Sequence, residues 1–413
     1  MSFKLRDYQK DLVLEVEQVL SAYKIAILNA EVRTGKTHVA LSIASGYNDV
    51  LFITKKKAIS SIEDDYAAAG HDFNITIINY ESLHKIEGVF DLVICDESHS
   101  ISAFPKPSKR TKAVKKLVSN DLLLLTGTLL PESNSQIYHQ LWVSPHSPFN
   151  GCSNFYKWHK MYGTPKKIYT SYGESNDYSV VDYEEIESVI NKLNVSFTQN
   201  EAGFTTKVNE HILKVDLKDS TIKLMDRLRA DEVVEGNNDV LLADTSVKMM
   251  QKLHQLSSGT VILESGNGVI IDTTKIDFIA EHFAGKKLAI FYYYKQEREM
   301  IFNKFGDNVT DDLKEFNTSS KHIALQQVSG AEGINLSAAD VLVFINFGFS
   351  NTKYVQAKDR LTTKDRLTND VYFILSTNGI DNRVYKALQN KKDYILQTFK
   401  RDERTTISKE NNR

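Results

Sequence analysis

The chain has 413 residues, 41% of them hydrophobic and 25% charged, an ordinary globular composition too long for one compact core, which predicts two or three domains. A formal net charge of −2 excludes a uniformly basic surface, so a nucleic-acid partner has to be held in a local groove. Cys95 and Cys152, the two cysteines, form neither a C-x-x-C pair nor a metal spacing, which argues against a disulfide scaffold and for a reducing compartment.

In chain order, MSFKLRDYQK carries charges where a signal peptide needs an apolar run, and no later stretch approaches a membrane span. The expectation is a cytoplasmic protein with no membrane partner. Short apolar runs follow: KIAILNA (24–30), DVLFITK (49–55), NITIINY (74–80), DLVICDE (91–97) and DLLLLTGT (121–128). They are nearly continuous rather than alternating and are separated by helix-length segments, the pattern of parallel strands covered on both faces. Residues 151–205 change texture, rich in Tyr, Asn, Ser and Glu, and read as a helical insertion or linker. VILESGNGVIID (261–272) reads as a hairpin, because Gly-Asn-Gly separates two β-branched runs. The strand rhythm returns in KLAIFYY (287–293), HIALQQVS (322–329), VLVFINF (341–347) and VYFILST (371–377). The final KRDERTTISKENNR is polar and expected to fray. The predicted class is α/β with two parallel-sheet domains, at 1–148 and 207–400, joined by a helical segment at 149–206 and followed by a flexible tail at 401–413.

The first chemical signal is AEVRTGKTHVALSIA (30–44). A G-K-[ST] triplet arises by chance in roughly one chain in five of this length, so its context decides. It directly follows a predicted strand, and the residues after it have helical periodicity, so loop and helix N–H groups converge on an anion. This predicts an ATP site at Thr34, Gly35, Lys36 and Thr37, with Lys36 reaching the β- and γ-phosphates and the Thr37 hydroxyl on Mg²⁺. Ala30 stands where the usual pattern has its first glycine. About sixty residues beyond Lys36, LVICDESH delivers Asp96 and Glu97 from an apolar strand. Asp96 is placed to hold the Mg²⁺ shell, and Glu97 to orient and deprotonate the attacking water. A solvated acidic loop is the alternative for any isolated Asp-Glu pair, and His99 alone carries no weight.

With these residues in place, the chain resembles the superfamily 2 helicases, and more narrowly the Swi/Snf-type translocases. LRDYQ (5–9) resembles the segment in which that family reads adenine, which implies Gln9 pairing with N6 and N7. NYESLHK (79–85) and LLLLTGTLLPESNSQIYHQLW (122–142) also have counterparts there. In the second half, SGAEGINLSAADVLVFINF (329–347) resembles the fifth motif, with Gly333, Asn335 and Leu336 at characteristic places. YVQAKDRL (354–361) resembles the sixth, and residues 379–399 the helix that closes the second domain. The resemblance implies two tandem RecA-like domains with ATP in their cleft, Gly333 among the nucleotide contacts, and a nucleic-acid strand crossing both. Thr126, Thr128 and Gln356 would couple the γ-phosphate to the strand, and opening and closing of the cleft would move the protein.

One departure matters. The sixth motif normally supplies two arginines three residues apart; here the first is Arg360 and the second position is Thr363. An arginine finger is worth about a thousandfold or more in rate. KDRLT recurs at 364–368, so Arg366 is a candidate replacement after a local shift, with a plain surface-helix role as the alternative. PKPSKRTKAVKK (105–116) concentrates positive charge, either a solvated face or, through Lys109 and Arg110, a salt-sensitive backbone contact. Lys55 and Ser82 sit where the family touches the strand. FYYYK (291–295) is read as core aromatics on a strand, with base stacking as the alternative.

The resulting expectation is a monomeric, Mg²⁺- and ATP-dependent DNA translocase or helicase serving recombination, repair or replication, with a bacterial or phage origin suggested by its compactness. An RNA helicase and a nucleotide-gated DNA clamp with weak turnover are the rivals. A small-molecule kinase would leave QAKDR, TGT and the second α/β domain unexplained.

Overall fold

The computed structural model describes residues 4–131, 133–170, 173–203, 207–236, 239–327, 336–358 and 368–390, with Tyr394, Thr398, Phe399, Asp402 and Glu403. The chain divides into two compact units, residues 1–205 and 206–413.

The strands of the first unit are β1 (Ile25–Ala30), β2 (Asp49–Thr54), β3 (Asn74–Asn79), β4 (Leu92–Cys95), β5 (Asp121–Thr126), β6 (Lys166–Thr170), β7 (Gly173–Asp177) and β8 (Asn194–Phe197). Six form one sheet in the order β3-β2-β4-β5-β1-β8, and every pairing in it is parallel. The five apolar runs are thus β1 to β5. They lack alternation because helices cover both faces. Ala26, Leu28, Leu123 and Leu125 pack with Leu12, Val16 and Leu20 of α1 (Asp7–Tyr23), with Val39 and Ile43 of α2 (Lys36–Ala44), and with Ile62 of α3 (Ile59–Ala69). Their neighbours Ile25, Ile27, Leu122 and Leu124 point the other way. They meet Val114 of α4 (Lys109–Leu117), Ile137 of α5 (Gln136–Trp142), Trp158 of α6 (Phe155–Tyr162) and Ile186 of α7 (Tyr183–Leu193). Leu124 is fully buried, so Leu124→Ala costs about 2–5 kcal/mol through lost transfer energy and the cavity left behind.

The segment read as a helical insertion or linker at 149–206 is neither separate nor purely helical. It contains α6, an antiparallel hairpin of β6 and β7, α7, and then β8, which pairs in parallel with β1 and completes the sheet. Its tyrosine-rich texture reflects an aromatic core rather than a solvated linker. Trp158 is fully buried, with ring centroids 5.2 Å from Tyr138 and 5.4 Å from Phe149. One boundary, at 205/206, replaces the two expected.

The second unit contains β9 (Lys207–Val215), β10 (Val233–Glu235), β11 (Val240–Leu242), β12 (Thr260–Ile262), β13 (Gly268–Ile270), β14 (Leu288–Tyr292), β15 (Val309–Thr310), β16 (His322–Gln326), β17 (Val341–Phe344) and β18 (Thr368–Ser376). Its main sheet, in the order β15-β16-β14-β17-β18-β9, is also parallel. β12 and β13 are the expected Gly-Asn-Gly hairpin, and β10 pairs antiparallel with β11. Among the described residues the helices are α8 (Asp219–Asp231), α9 (Ser246–Leu256), α10 (Thr274–His282), α11 (Lys295–Phe305), α12 (Leu313–Thr318), α13 (Asn351–Lys358) and α14 (Asp381–Gln389). Ile276 and Ile301 cover one sheet face, while Leu253, Tyr354 and Val384 cover the other. Phe291 and Tyr292 are buried in β14, so these two rings of FYYYK serve the core rather than base stacking.

This second core is stapled by charge. The Lys275 ammonium lies 2.8 Å from Asp381 Oδ2 and also donates to the Ile345 carbonyl at 3.2 Å. Ser376 donates to the same carboxylate through its N–H and its hydroxyl, at 2.8 and 2.9 Å. The tail, expected to fray from 401, is anchored at its start: Asp402 accepts from the Tyr394 hydroxyl at 3.2 Å, and Glu403 pairs with Arg383 at 2.6 Å.

Candidate active site

In a parallel sheet the loops leaving the C-terminal strand ends gather on one edge, where open α/β sheets bind ligands. The first unit places five of its signals there. β1 leads into the phosphate loop, β2 into Lys55, β3 into the turn Tyr80–Lys85 that carries Ser82, β4 into Asp96 and Glu97, and β5 into Thr126, Gly127 and Thr128.

The loop between β1 and α2 turns twice through left-handed backbone, at Arg33 (φ 65°) and Gly35 (φ 84°). Gly35 is required on two counts, since a Cβ there would also lie 2.1 Å from Gln9 Nε2. Ala30 ends β1 without a positive φ, so the missing first glycine costs nothing locally. Lys36 folds over its own loop, donating to the Ala30 and Glu31 carbonyls at 2.6 and 3.1 Å. Thr34 is buried, its hydroxyl donating to the Glu31 carbonyl at 2.8 Å. Thr37 lies half-buried in the first turn of α2. Gln9, also buried, donates to the Thr34 carbonyl at 3.2 Å and accepts from Arg6 N–H at 2.9 Å. It therefore braces the phosphate loop from α1.

Asp96 is held in one orientation. Its Oδ2 accepts from the Thr54 hydroxyl at 2.8 Å, and its Oδ1 from the Glu97 N–H at 3.0 Å. Its own carbonyl accepts from the Tyr80 hydroxyl at 2.6 Å. Burial, followed by repulsion from Glu97, pushes the Asp96 carboxyl up to about 6, against the pull of Thr54, Lys36 and Lys55. Glu97 has left-handed backbone (φ 50°, ψ 54°), a conformation that costs a residue with a Cβ of order 1–2 kcal/mol. Its carboxylate lies 3.3 Å from His99 Nδ1. This strain presents Glu97 beside Asp96 instead of continuing the strand.

Thr126 is buried; its hydroxyl donates to the Thr128 carbonyl at 2.9 Å and accepts from Thr128 N–H at 3.1 Å. The closed turn exposes Thr128 and lays Gly127 against the phosphate loop, where a Cβ would sit 3.7 Å from Lys36 Nζ. Two partners were not legible as site residues. Gln140 of α5 accepts from the Ser98 hydroxyl at 2.8 Å and donates to the Leu129 carbonyl at 2.9 Å, so it ties the acidic loop to the loop after β5. Its only sequence signal was its place within the 122–142 segment.

The basic run divides. Lys115 lies over the Trp142 ring at 4.0 Å and donates to its carbonyl at 2.6 Å, a packing role. Lys106, Lys109, Arg110, Lys112 and Lys116 are exposed. Arg110 pairs with Glu81 at 2.6 Å, which joins α4 to the turn carrying Ser82. Lys55 is half-buried at the end of β2.

In the second unit, Gly333, Arg360, Thr363 and Arg366 lie outside the described residues, and of Gln356 only its place in α13 is described. That helix is tied to β9. Glu210 accepts from the Tyr354 hydroxyl at 2.6 Å, from the Tyr385 hydroxyl at 2.9 Å, and from Lys358. Glu210 is the second partner that sequence reasoning missed.

The donor set suits a magnesium nucleotide: one fixed carboxylate, a hydroxyl on a helix N-terminus and a lysine, on a loop whose turn at Gly35 leaves no room for a Cβ against Gln9. Mg²⁺ is usually held by one or two carboxylates together with substrate phosphates. No helix among the described residues is long and apolar enough to cross a membrane.

Residues 36–264, more than half of the chain, match the SNF2-related domain. The chain belongs to the SNF2-related family. The match carries the acidic pair, the TGT turn and α4, and it runs through the segment at 149–206. The SNF2-related region starts at Lys36, so the placing of Gln9 and Thr34 comes from the structure. Among solved structures, the chain is similar to the Sulfolobus solfataricus SWI2/SNF2 ATPase core in complex with dsDNA, with 15% identity, a TM-score of 0.44, and coverage of 94% of this chain and 92% of that one. Among curated proteins no match is found.

Proposed function

We propose that this SNF2-related protein is an ATP hydrolase stimulated by DNA, which couples turnover to movement along the strand. The observation that carries the reading is the edge of the first sheet, where Lys36 and the oriented, desolvated Asp96 act on each other electrostatically and the TGT turn lies against the phosphate loop. Lys36 leaves its loop carbonyls to bind the β- and γ-phosphates. Asp96 and Thr37 would hold Mg²⁺, which when bound neutralises phosphate charge. Glu97 orients the attacking water and accepts its proton, with His99 at 3.3 Å to steady the carboxylate. Thr128, exposed beside the phosphate loop, is positioned to report the γ-phosphate to the strand contacts. Those contacts are Lys55, Ser82, Lys109 and Arg110, with Lys109 and Arg110 on the exposed basic face of α4. The family resemblance assigns Arg360, Arg366, Gly333 and Gln356 to the same cycle.

The test is ATP turnover with no polymer, with duplex DNA, with single-stranded DNA and with RNA, using Lys36→Ala as the blank. Stimulation by DNA that vanishes in the blank supports the reading, whereas stimulation by RNA alone assigns an RNA helicase. ATP-dependent DNA binding without turnover assigns a nucleotide-gated clamp. Full turnover in Arg360→Ala removes that residue from the mechanism.

A further inference from the structure

A cavity of about 770 Å³ opens on the second unit, and none of its lining residues is among the site residues assigned above. Its walls are β9, the end of β18, α8, and the loop 377–379 leading into α14. Lys214, Arg229, Arg383 and Lys386 line it, with Asp226 as the one carboxylate of the lining. Two of these cations already engage an anion supplied by the chain itself. Glu403, outside the lining, pairs with two of the lining arginines, with Oε1 2.6 Å from Arg383 Nη1 and Oε2 3.4 Å from Arg229 Nε. Asp226 engages the other side of Arg229 at 3.0 Å. Lys214 and Lys386 are exposed and have no ion pair among the described residues. Four cations therefore face two carboxylates. A latch for the tail needs no such excess, and the tail is already seated by Phe399, 2% exposed, and by Tyr394 bonding Asp402. The N-terminal end of α14 adds a favourable dipole for negative charge.

We propose that this cavity is a phosphate-binding site for the nucleic-acid backbone, and that Glu403 holds two of its arginines in cis as a competing anion. The proposal rests on the DNA-dependent reading above and adds a contact on the second unit with its own restraint. A strand phosphate replaces the Glu403 carboxylate on Arg229 and Arg383, while Lys214 and Lys386 bind the neighbouring phosphates. Carboxylate and phosphate are both oxygen anions that arginine binds through paired N–H donors, so the exchange needs no rebuilding of the pocket.

The test compares three full-length proteins, the wild type, Glu403→Gln and Lys214→Ala/Lys386→Ala, by anisotropy of a labelled DNA oligonucleotide across a salt series. Glutamine keeps an acceptor for Arg383, and the two lysines are exposed, so each variant should retain the wild-type melting temperature. Removing the competing charge tightens binding about fivefold and steepens the slope of log K against log salt by about one contact. Losing the two lysines flattens that slope by about two contacts. Identical affinity and slope in all three proteins overturns the site, whether or not DNA stimulates wild-type turnover. Stimulation of turnover reads the parent function separately.

Discussion

Asp96→Asn should stabilise the nucleotide-free protein while abolishing turnover. The fold holds the Asp96 carboxyl at about 6, against an ordinary value of 3.8, because burial and the neighbouring Glu97 disfavour the charge. A raised folded-state value means that the folded protein binds the extra proton more tightly than the unfolded chain does. The stability linked to that proton is fully present below about pH 4 and is lost as pH rises toward and through about 6. A rise of that size means that the charged form costs the fold about 3 kcal/mol at neutral pH. Asparagine removes the charge and keeps the geometry: its oxygen accepts from Glu97 N–H, and its amide donates to a rotated Thr54 hydroxyl. The variant should gain about 2–3 kcal/mol near pH 7.5, and the gain should vanish near pH 3.5. Trp142 and Trp158, the two tryptophans, both lie in the first unit, so fluorescence-detected urea unfolding reads that unit selectively. An unchanged or lowered midpoint at neutral pH, or a gain that persists in acid, would refute the account of Asp96 as a desolvated charge retained for chemistry.

Other substitutions test the remaining geometry. Arg33→Gly relieves a left-handed residue at φ 65° and should raise the stability of the first unit by about 1 kcal/mol; a lower urea midpoint counts against strain there. Gly35→Ala forces a Cβ to 2.1 Å from Gln9 Nε2, so nucleotide binding followed by calorimetry should be lost, and wild-type affinity would show that the loop moves freely. Lys275→Ala leaves the Asp381 carboxylate buried without its cation and should destabilise the second unit by about 3–5 kcal/mol; hydrogen exchange in β17 and β18 is the readout, with unchanged protection the contrary result. Turnover should fall as pH drops through about 6, where Asp96 takes up its proton; a flat profile down to about pH 5 would separate Asp96 from the rate-determining chemistry.

What the sequence determined by itself was local and periodic. β1, β2, β4 and β5 are buried almost throughout, so their composition alone marked them as strands covered on both faces. Asp96 directly follows β4, Thr126 ends β5 and Lys36 opens α2 after the loop from β1, and a parallel sheet sends such residues to one edge whatever the rest of the chain does. β8, by contrast, is four residues long, and β9, at the sheet edge, buries only its last residue, Val215. Neither offered an apolar run to read, and with β8 unread the middle segment passed for a linker. Only the tertiary structure could show that Gln9 braces the phosphate loop, that Gln140 joins the acidic loop to the loop after β5, that Lys115 packs on Trp142, and that Glu403 closes on Arg229. Each of these depends on side chains far apart along the chain meeting in space. Such contacts are set by how helices pack on the sheets, and hydrophobic periodicity encodes which face of an element is buried but not which partner it meets.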